Sequence, residues 1–321
     1  MDRERDNSLT RRQLLQAGVA TGVAASLLSS TLGRNAAAAG AEAAPILRAI
    51  PSSGEKIPVV GIGTNAFDVT AAEELVTRKQ VLEHLPQLGG KLVDTARGYG
   101  RSEEVIGQLV AELGNRDKLF LATKTPMNGD ISNPKAAVDV AFTRLRTDRI
   151  DLYEIHNFFG TNELLAVLKE YKQAKKVRYI GVTTSFEPQY GQLTEAMKQH
   201  TLDFIQVNFS IADRASAKDV HPMARDKGIA VLCNMPLGGR RGSFMPALAN
   251  KPLPSWAAEI GAKSWAQLLL KYNLSQPGIT AVIPGTTIVA HLEDNQAAGR
   301  GILPDAAFRK RIEDHWATLG L

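Results

Sequence analysis

Four residues in the first half of the chain carry side chains that could do chemistry together. Asp94 and Tyr99 lie in Leu92-Val93-Asp94-Thr95-Ala96-Arg97-Gly98-Tyr99-Gly100, an apolar run that breaks into a polar, glycine-flanked loop. Lys124 follows the run that begins at Leu119, and His156 ends Ile150-Asp151-Leu152-Tyr153-Glu154-Ile155-His156. A phenol is a poor acid at neutral pH unless a cation stabilises its anion, and Lys124 would be that cation. Asp94 beside it would keep a buried lysine charged. A histidine at the end of the next strand could donate a hydrogen bond to a substrate oxygen and orient it. Such a set stabilises an oxygen passing between carbonyl and alkoxide, and it contains no source of electrons. Taken singly, each residue also has a structural role open to it: turn former for Asp94, loop residue for Tyr99, solvated cation for Lys124, core histidine for His156.

For the four to converge, the runs that carry them must lie side by side with their ends together. The chain has eight short apolar runs, at 59–63, 91–95, 119–123, 150–156, 178–183, 204–209, 229–235 and 279–284. Helical patterns fall at 71–88, 101–113, 134–145, 162–175, 188–199, 216–227, 255–273, 288–298 and 304–317. The clearest is 101–113. Ser102 is the expected cap, Glu103 and Glu104 suit the first turn, Val105, Ile106, Leu109, Val110 and Leu113 share a face, and Gly114 is the stop. Residues 237–253, rich in Gly, Arg and Pro, read as an irregular loop. Strands apolar on both faces, each followed by a helix, make a parallel sheet covered by helices. Eight such units favour an α/β fold of the closed (β/α)8 TIM-barrel type, whose active sites gather at the carboxyl ends of the strands. Ahead of it, 46–50 and 56–60 flank Pro51-Ser52-Ser53-Gly54-Glu55, which predicts an N-terminal β-hairpin.

Composition narrows the function without naming it. With 44% apolar and 22% charged residues the chain is ordinary for a soluble globular protein. Its net charge of +5 is scattered and partly N-terminal, so no nucleic-acid or membrane-surface footprint is read in it. Cys233 is the only cysteine, which excludes an intramolecular disulfide, a cysteine zinc site and an iron–sulfur cluster; no metal site is expected. At the N-terminus, Thr10-Arg11-Arg12-Gln13-Leu14-Leu15-Gln16 precedes an alanine-rich apolar stretch to Leu32 and then possible A-x-A cleavage sites. Residues 1–40 thus look like a twin-arginine (Tat) signal, cleaved after the folded 41–321 domain passes through the Tat machinery to the periplasm. No stable membrane association is expected afterwards; a retained anchor is the alternative.

From about residue 50 to 298 the chain resembles the aldo-keto reductases, through IPSSGEKIPVVGIGT, LVDTARGYGRSEEVIG, LATKT, RLRTDRIDLYEIHN, IGVTTS, IQVNFS, MPLGG and IPGTTIVAHLEDN. The DTA-x-G-Y-G and DLY-x-IH segments are the specific ones. The resemblance implies that Tyr99 is the general acid, Lys124 and Asp94 its pKa-lowering pair, and His156 the residue that orients the substrate. It supplies the missing electron source as NADPH or NADH, with an aldehyde or ketone as the small-molecule substrate. It also places Gly63 and Thr64 near the nicotinamide, Thr183, Thr184 and Gln206 at its carboxamide, and Leu237, Gly238 and Gly239 near the pyrophosphate, with Arg240 and Arg241 alongside. Gly285, Thr286, His291 and Asn295 fall at the adenosine end. The pattern departs from the family where Thr184 replaces Asn, Asn234 replaces an aromatic residue, Gly285 a lysine and His291 an arginine. The last two remove cations from the 2′-phosphate position, yet NADPH remains the expected cofactor, with NADH as the alternative. Asn157, Phe158 and Phe159, with Phe67 and Trp256, are the candidates for the substrate rim.

Two other functions fit the same residues: an exported nicotinamide-binding sensor or accessory protein on this fold, and a barrel lyase or isomerase using Tyr99 and His156 without net redox change.

Overall fold

The computed structural model describes residues 43–239 and 242–321, so the expected Tat signal at 1–40 and the arginines at 240 and 241 lie outside the described residues. A hairpin comes first. β1 (Leu47–Ala49) and β2 (Lys56–Pro58) pair antiparallel with Arg48 opposite Ile57. Gly54, at φ 76°, donates to the Ile50 carbonyl at 2.8 Å to close the turn.

Eight parallel strands follow, each hydrogen-bonded to the next one in chain order. They are β3 (Ile62–Gly63), β4 (Leu92–Asp94), β5 (Phe120–Lys124), β6 (Ile150–His156), β7 (Val177–Thr184), β8 (Phe204–Asn208), β9 (Ala230–Asn234) and β12 (Ile279–Val282). The first and last strands close on one another through Gly61 N–H to Val282 O and Gly63 N–H to Pro284 O, both 2.9 Å. The result is the expected (β/α)8 barrel with its N-terminal hairpin.

Nearly every strand residue is buried, because one face meets the helices and the other fills the barrel. Ile50 and Ile57 of the hairpin pack with Leu92, Phe120, Leu152, Tyr179 and Phe204, side chains at or near the strand beginnings. The hairpin therefore plugs the amino end and leaves the carboxyl end open for chemistry. No helix among the described residues is long and apolar enough to cross a membrane.

Two local expectations change. The helix expected over 255–273 is a short 3-10 segment, Ser255–Ile260, then a break, then an α-helix at Trp265–Ser275. Gly261 at φ 69° ends the first piece, and the Ser264 side chain accepts the Gln267 N–H to cap the second. Ser102 does not cap its helix either. Ser102–Leu113 starts after Arg101 with no side-chain cap, and the Ser102 hydroxyl is committed elsewhere. The 237–253 loop contains a small ribbon, β10 (Gly238–Gly239) with β11 (Gly242–Ser243), and a helical turn at Met245–Leu248.

Candidate active site

Neighbouring strands in parallel register bring their carboxyl ends to one level, and the four candidate residues meet there. Lys124 leaves the end of β5, and its Nζ lies 2.8 Å from Asp94 Oδ1, from Asp94 Oδ2 and from the Thr95 carbonyl. All three ammonium protons thus have acceptors. Both residues are buried, Lys124 at 1% exposure and Asp94 at 2%. Burial works against the lysine's charge, but Asp94, Tyr99 and Glu154 outweigh it and hold its pKa above the ordinary value.

Tyr99 sits half-buried in the loop after β4, its ring centroid 5.3 Å from Lys124 Nζ. The loop is held by a hydroxyl knot. Ser102 Oγ donates to the Thr64 carbonyl at 3.0 Å and meets Thr95 Oγ1 at 2.9 Å and Thr64 Oγ1 at 3.1 Å. A helix-start serine is here a clasp between two strand ends. Lys124 is the strongest influence on the Tyr99 phenol and pulls its pKa down. Burial and the charges of Asp94 and Glu154 push the other way, and the net position is above the ordinary phenol value.

His156 ends β6, with its backbone N–H on Thr125 Oγ1 at 3.1 Å and its Nδ1 without a hydrogen-bond partner among the described residues. Burial, helped by the Lys124 charge, lowers its pKa to about 3, so the imidazole is neutral. A Cβ built on Gly98 would stand 3.9 Å from His156 Cε1, which places the tyrosine loop against the imidazole. A phenol, a cation and a neutral imidazole thus share one buried corner.

Two residues of this corner have tasks that sequence reading did not give them. Glu154, two positions before His156, is fully buried, and its Oε2 accepts from Gln206 Nε2 at 3.1 Å. The same nitrogen donates to Asp94 Oδ1 at 2.8 Å. Gln206 Oε1 in turn accepts from Thr183 Oγ1 and Asn234 Nδ2, each at 3.2 Å. The period-two alternation Leu152, Glu154, His156 was the available signal for Glu154, since alternate strand residues share a face.

A groove of about 740 Å³ opens beside Asp94 and Tyr99. Of the cofactor candidates, Gly63, Thr64, Leu237, Gly238, Gly285, His291 and Asn295 line it, together with Asn234. Thr183, Thr184, Gln206 and Thr286 are buried and do not appear in its lining. Thr184 Oγ1 donates to Gln189 Oε1 at 2.6 Å, while Thr286 Oγ1 accepts from Asn295 Nδ2 at 3.1 Å. Asp294, not foreseen, also faces the groove, with Ser264 Oγ and Gln267 Nε2 each 2.7 Å from its carboxylate. Among the rim candidates, Phe67 is fully buried in the core, and Trp256 packs on Phe308 and His315 of the last helix, Ala306–Ala317.

Comparison with known proteins agrees with this architecture. The chain is 28% identical over 305 residues to the aldo-keto reductase yakc [NADP(+)] of Schizosaccharomyces pombe, covering 80% of this chain and 88% of that protein. It is 27% identical over 268 residues to the NADH-specific methylglyoxal reductase of Escherichia coli, covering 68% and 81% respectively. The fold matches that of an aldo-keto reductase from Bacillus halodurans with a TM-score of 0.67 at 24% identity, over 84% of this chain and 96% of that one. The signature described as Aldo/keto reductase family spans residues 59–317. The chain belongs to the aldo/keto reductase family and is an NAD(P)H-dependent oxidoreductase acting on carbonyl groups.

Proposed function

We propose that the protein reduces an aldehyde or ketone to the alcohol with Tyr99 as the proton donor. The observation that carries this reading is the position of Lys124, charged, buried and paired to Asp94, with its Nζ 5.3 Å from the centre of the Tyr99 ring. A cation so placed favours the phenolate that remains once the proton has left. Neutral His156 can hydrogen-bond the substrate oxygen without competing as an acid.

The groove suits a nicotinamide dinucleotide on two counts. Asn234 lines the groove, and its Oδ1 has no hydrogen-bond partner among the described residues, which leaves an acceptor at the groove wall uncommitted. Glycines at 63, 238, 242 and 285 keep side chains out of the groove. Gly63, Thr64 and Asn234 would hold the nicotinamide end, Leu237 and Gly238 the pyrophosphate, and Gly285, His291 and Asn295 the adenosine. When bound, the nicotinamide supplies the hydride. NADPH is the cofactor we assign, in line with the NADP(+) designation of the yeast relative. Export to the periplasm by the Tat route is part of the same reading and rests on the sequence, on Arg11 and Arg12 followed by the apolar stretch to Leu32 and the A-x-A sites; replacing both arginines with lysine should leave the protein in the cytoplasm.

The test is to follow cofactor absorbance while the purified protein meets a panel of simple aldehydes and ketones, with NADPH and with NADH. Tyr99→Phe should lower kcat by about 10²- to 10⁴-fold, the usual contribution of a general acid. A Tyr99→Phe enzyme as fast as the wild type would refute the assignment. Tight cofactor binding without turnover would point to the sensor, and product formation without an absorbance change to the lyase.

A further inference from the structure

Glu154 is a buried acid to which proton transfer from Tyr99 gives no task. It lies on β6 two residues before His156, so both side chains turn into the barrel. Its Cα pairs with Lys124 on one side and Gly181 on the other. Gly181 makes the space: a Cβ there would stand 3.2 Å from Glu154 Cγ and Oε1.

Gln206 ties this acid to the Lys124–Asp94 pair. Its Nε2 serves Glu154 at 3.1 Å and Asp94 at 2.8 Å, and the amide is held in that sense because Thr183 and Asn234 donate to its oxygen. Glu154 Oε1 has no hydrogen-bond partner among the described residues. The titratable groups around it are Lys124 on β5, Asp94 on β4, Tyr99 in the loop after β4 and His156 on its own strand. β7 presents Gly181 and β8 presents Gln206, neither of which titrates. The corner thus has two acids and one cation, and both Asp94 oxygens already hold that cation at 2.8 Å. A second carboxylate would be a buried charge without its own counter-ion, far costlier than a neutral acid. Burial first, reinforced by Asp94 and partly offset by Lys124, raises the Glu154 pKa to about 8.

We propose that Glu154 is a positioning residue that works as a neutral carboxylic acid, and that its ionisation turns the enzyme down by placing a second negative charge beside Lys124 and Tyr99. The inference rests on Tyr99 being the proton donor. With Glu154 neutral, Lys124 answers Asp94 alone and its field stabilises the phenolate. With Glu154 ionised, the phenol becomes a weaker acid and reduction slows. No proton passes between Glu154 and the substrate.

Two measurements on the full protein test this. The first is an infrared difference titration. A carboxylic-acid band should be present in the wild type at neutral pH, absent in Glu154→Gln, and lost as the pH rises through about 8. Absence of that band in the wild type at neutral pH overturns the proposal whatever the activity. The second is the pH profile of kcat for carbonyl reduction, in which Glu154→Gln should move the alkaline limb upward by about one pH unit or more, a tenfold change in proton concentration. A limb that stays in place overturns the proposal too. A wild type that shows the titrating band yet reduces no carbonyl compound would sustain the neutral Glu154 while sinking the reductase reading.

Discussion

Lys124 and Asp94 form a pair in which one ammonium meets both oxygens of one carboxylate at 2.8 Å, with neither side chain more than 3% exposed. In that setting the pair has two effects. It fixes the end of β5 against the end of β4, and it keeps a positive charge beside Tyr99. Structure and chemistry therefore depend on the same contact, and a substitution that breaks it should be visible in both.

Lys124→Met should abolish reduction and also cost about 3–5 kcal/mol of stability, because it leaves Asp94 as a buried charge without its partner. Asp94→Asn should cost a similar amount for the converse reason. The double variant should be less destabilised than the sum of the two, and a urea-denaturation cycle would measure the difference. Strict additivity would mean that the pair contributes no coupling.

At the other end of β6, Asp151 belongs to the same DLY-x-IH segment as His156 and does unrelated work. Its Oδ2 accepts from Arg116 Nη2 and from the Leu121 N–H, its Oδ1 from Arg178 Nη1, all at 2.8 Å, and the residue is 1% exposed. Asp151→Asn should cost about 1–3 kcal/mol at the closed end of the barrel, because Arg116 loses its ion pair and Arg178 keeps only Glu55, with both guanidiniums partly exposed. The KM for cofactor should not change, since Asp151 lies a full strand away from the groove. Denaturation and steady-state kinetics on the same preparation separate the two effects.

The strands were legible because each is a short apolar run bounded by polar residues, and their alternation with helices leaves few folds to choose among. The meeting of Asp94, Lys124 and His156 at one corner is legible for a related reason: these residues interrupt apolar runs just where those runs end. Glu154 was not, because it sits inside an apolar run rather than at its end, and only strict alternation from His156 reveals its face. The break at Gly261 is hidden for the opposite reason. Apolar residues continue on both sides of it, so a helical period survives a stop-and-cap signal that Gly261 and Ser264 carry plainly. Gln206 was readable as a residue type but not as a contact, since nothing local says that its amide bridges Asp94 and Glu154.

The pH behaviour of stability should show His156 on the acid side. Its imidazole stays neutral in the folded protein down to about pH 3, against an ordinary value of 6.5. Above 6.5 it is neutral in both states and the native state bears no penalty. As pH falls from 6.5 towards 3 the unfolded chain takes up a proton that the native site refuses, so stability is lost through that window. His156→Gln should lose less stability than the wild type between pH 6.5 and 4 by on the order of 1–3 kcal/mol, read from urea midpoints at each pH. Parallel curves would show that the histidine does not titrate as its burial requires.

Glu154 should show on the alkaline side with the opposite sign. Its folded pKa is raised to about 8 from an ordinary 4.5. Below 4.5 the carboxyl is protonated in both states and stability is intact. As pH rises towards 8 the unfolded chain gives up its proton first, which favours unfolding through that window until the native carboxyl also ionises. Wild type should therefore weaken relative to Glu154→Gln between pH 5 and 8, by on the order of a few kcal/mol. The glutamine keeps a group able to accept from Gln206 Nε2 while removing the ionisation, so the difference between the two curves isolates the proton. If Glu154→Gln instead tracked the wild type across that range, Glu154 would have to be ionised at neutral pH, and two carboxylates would share Lys124.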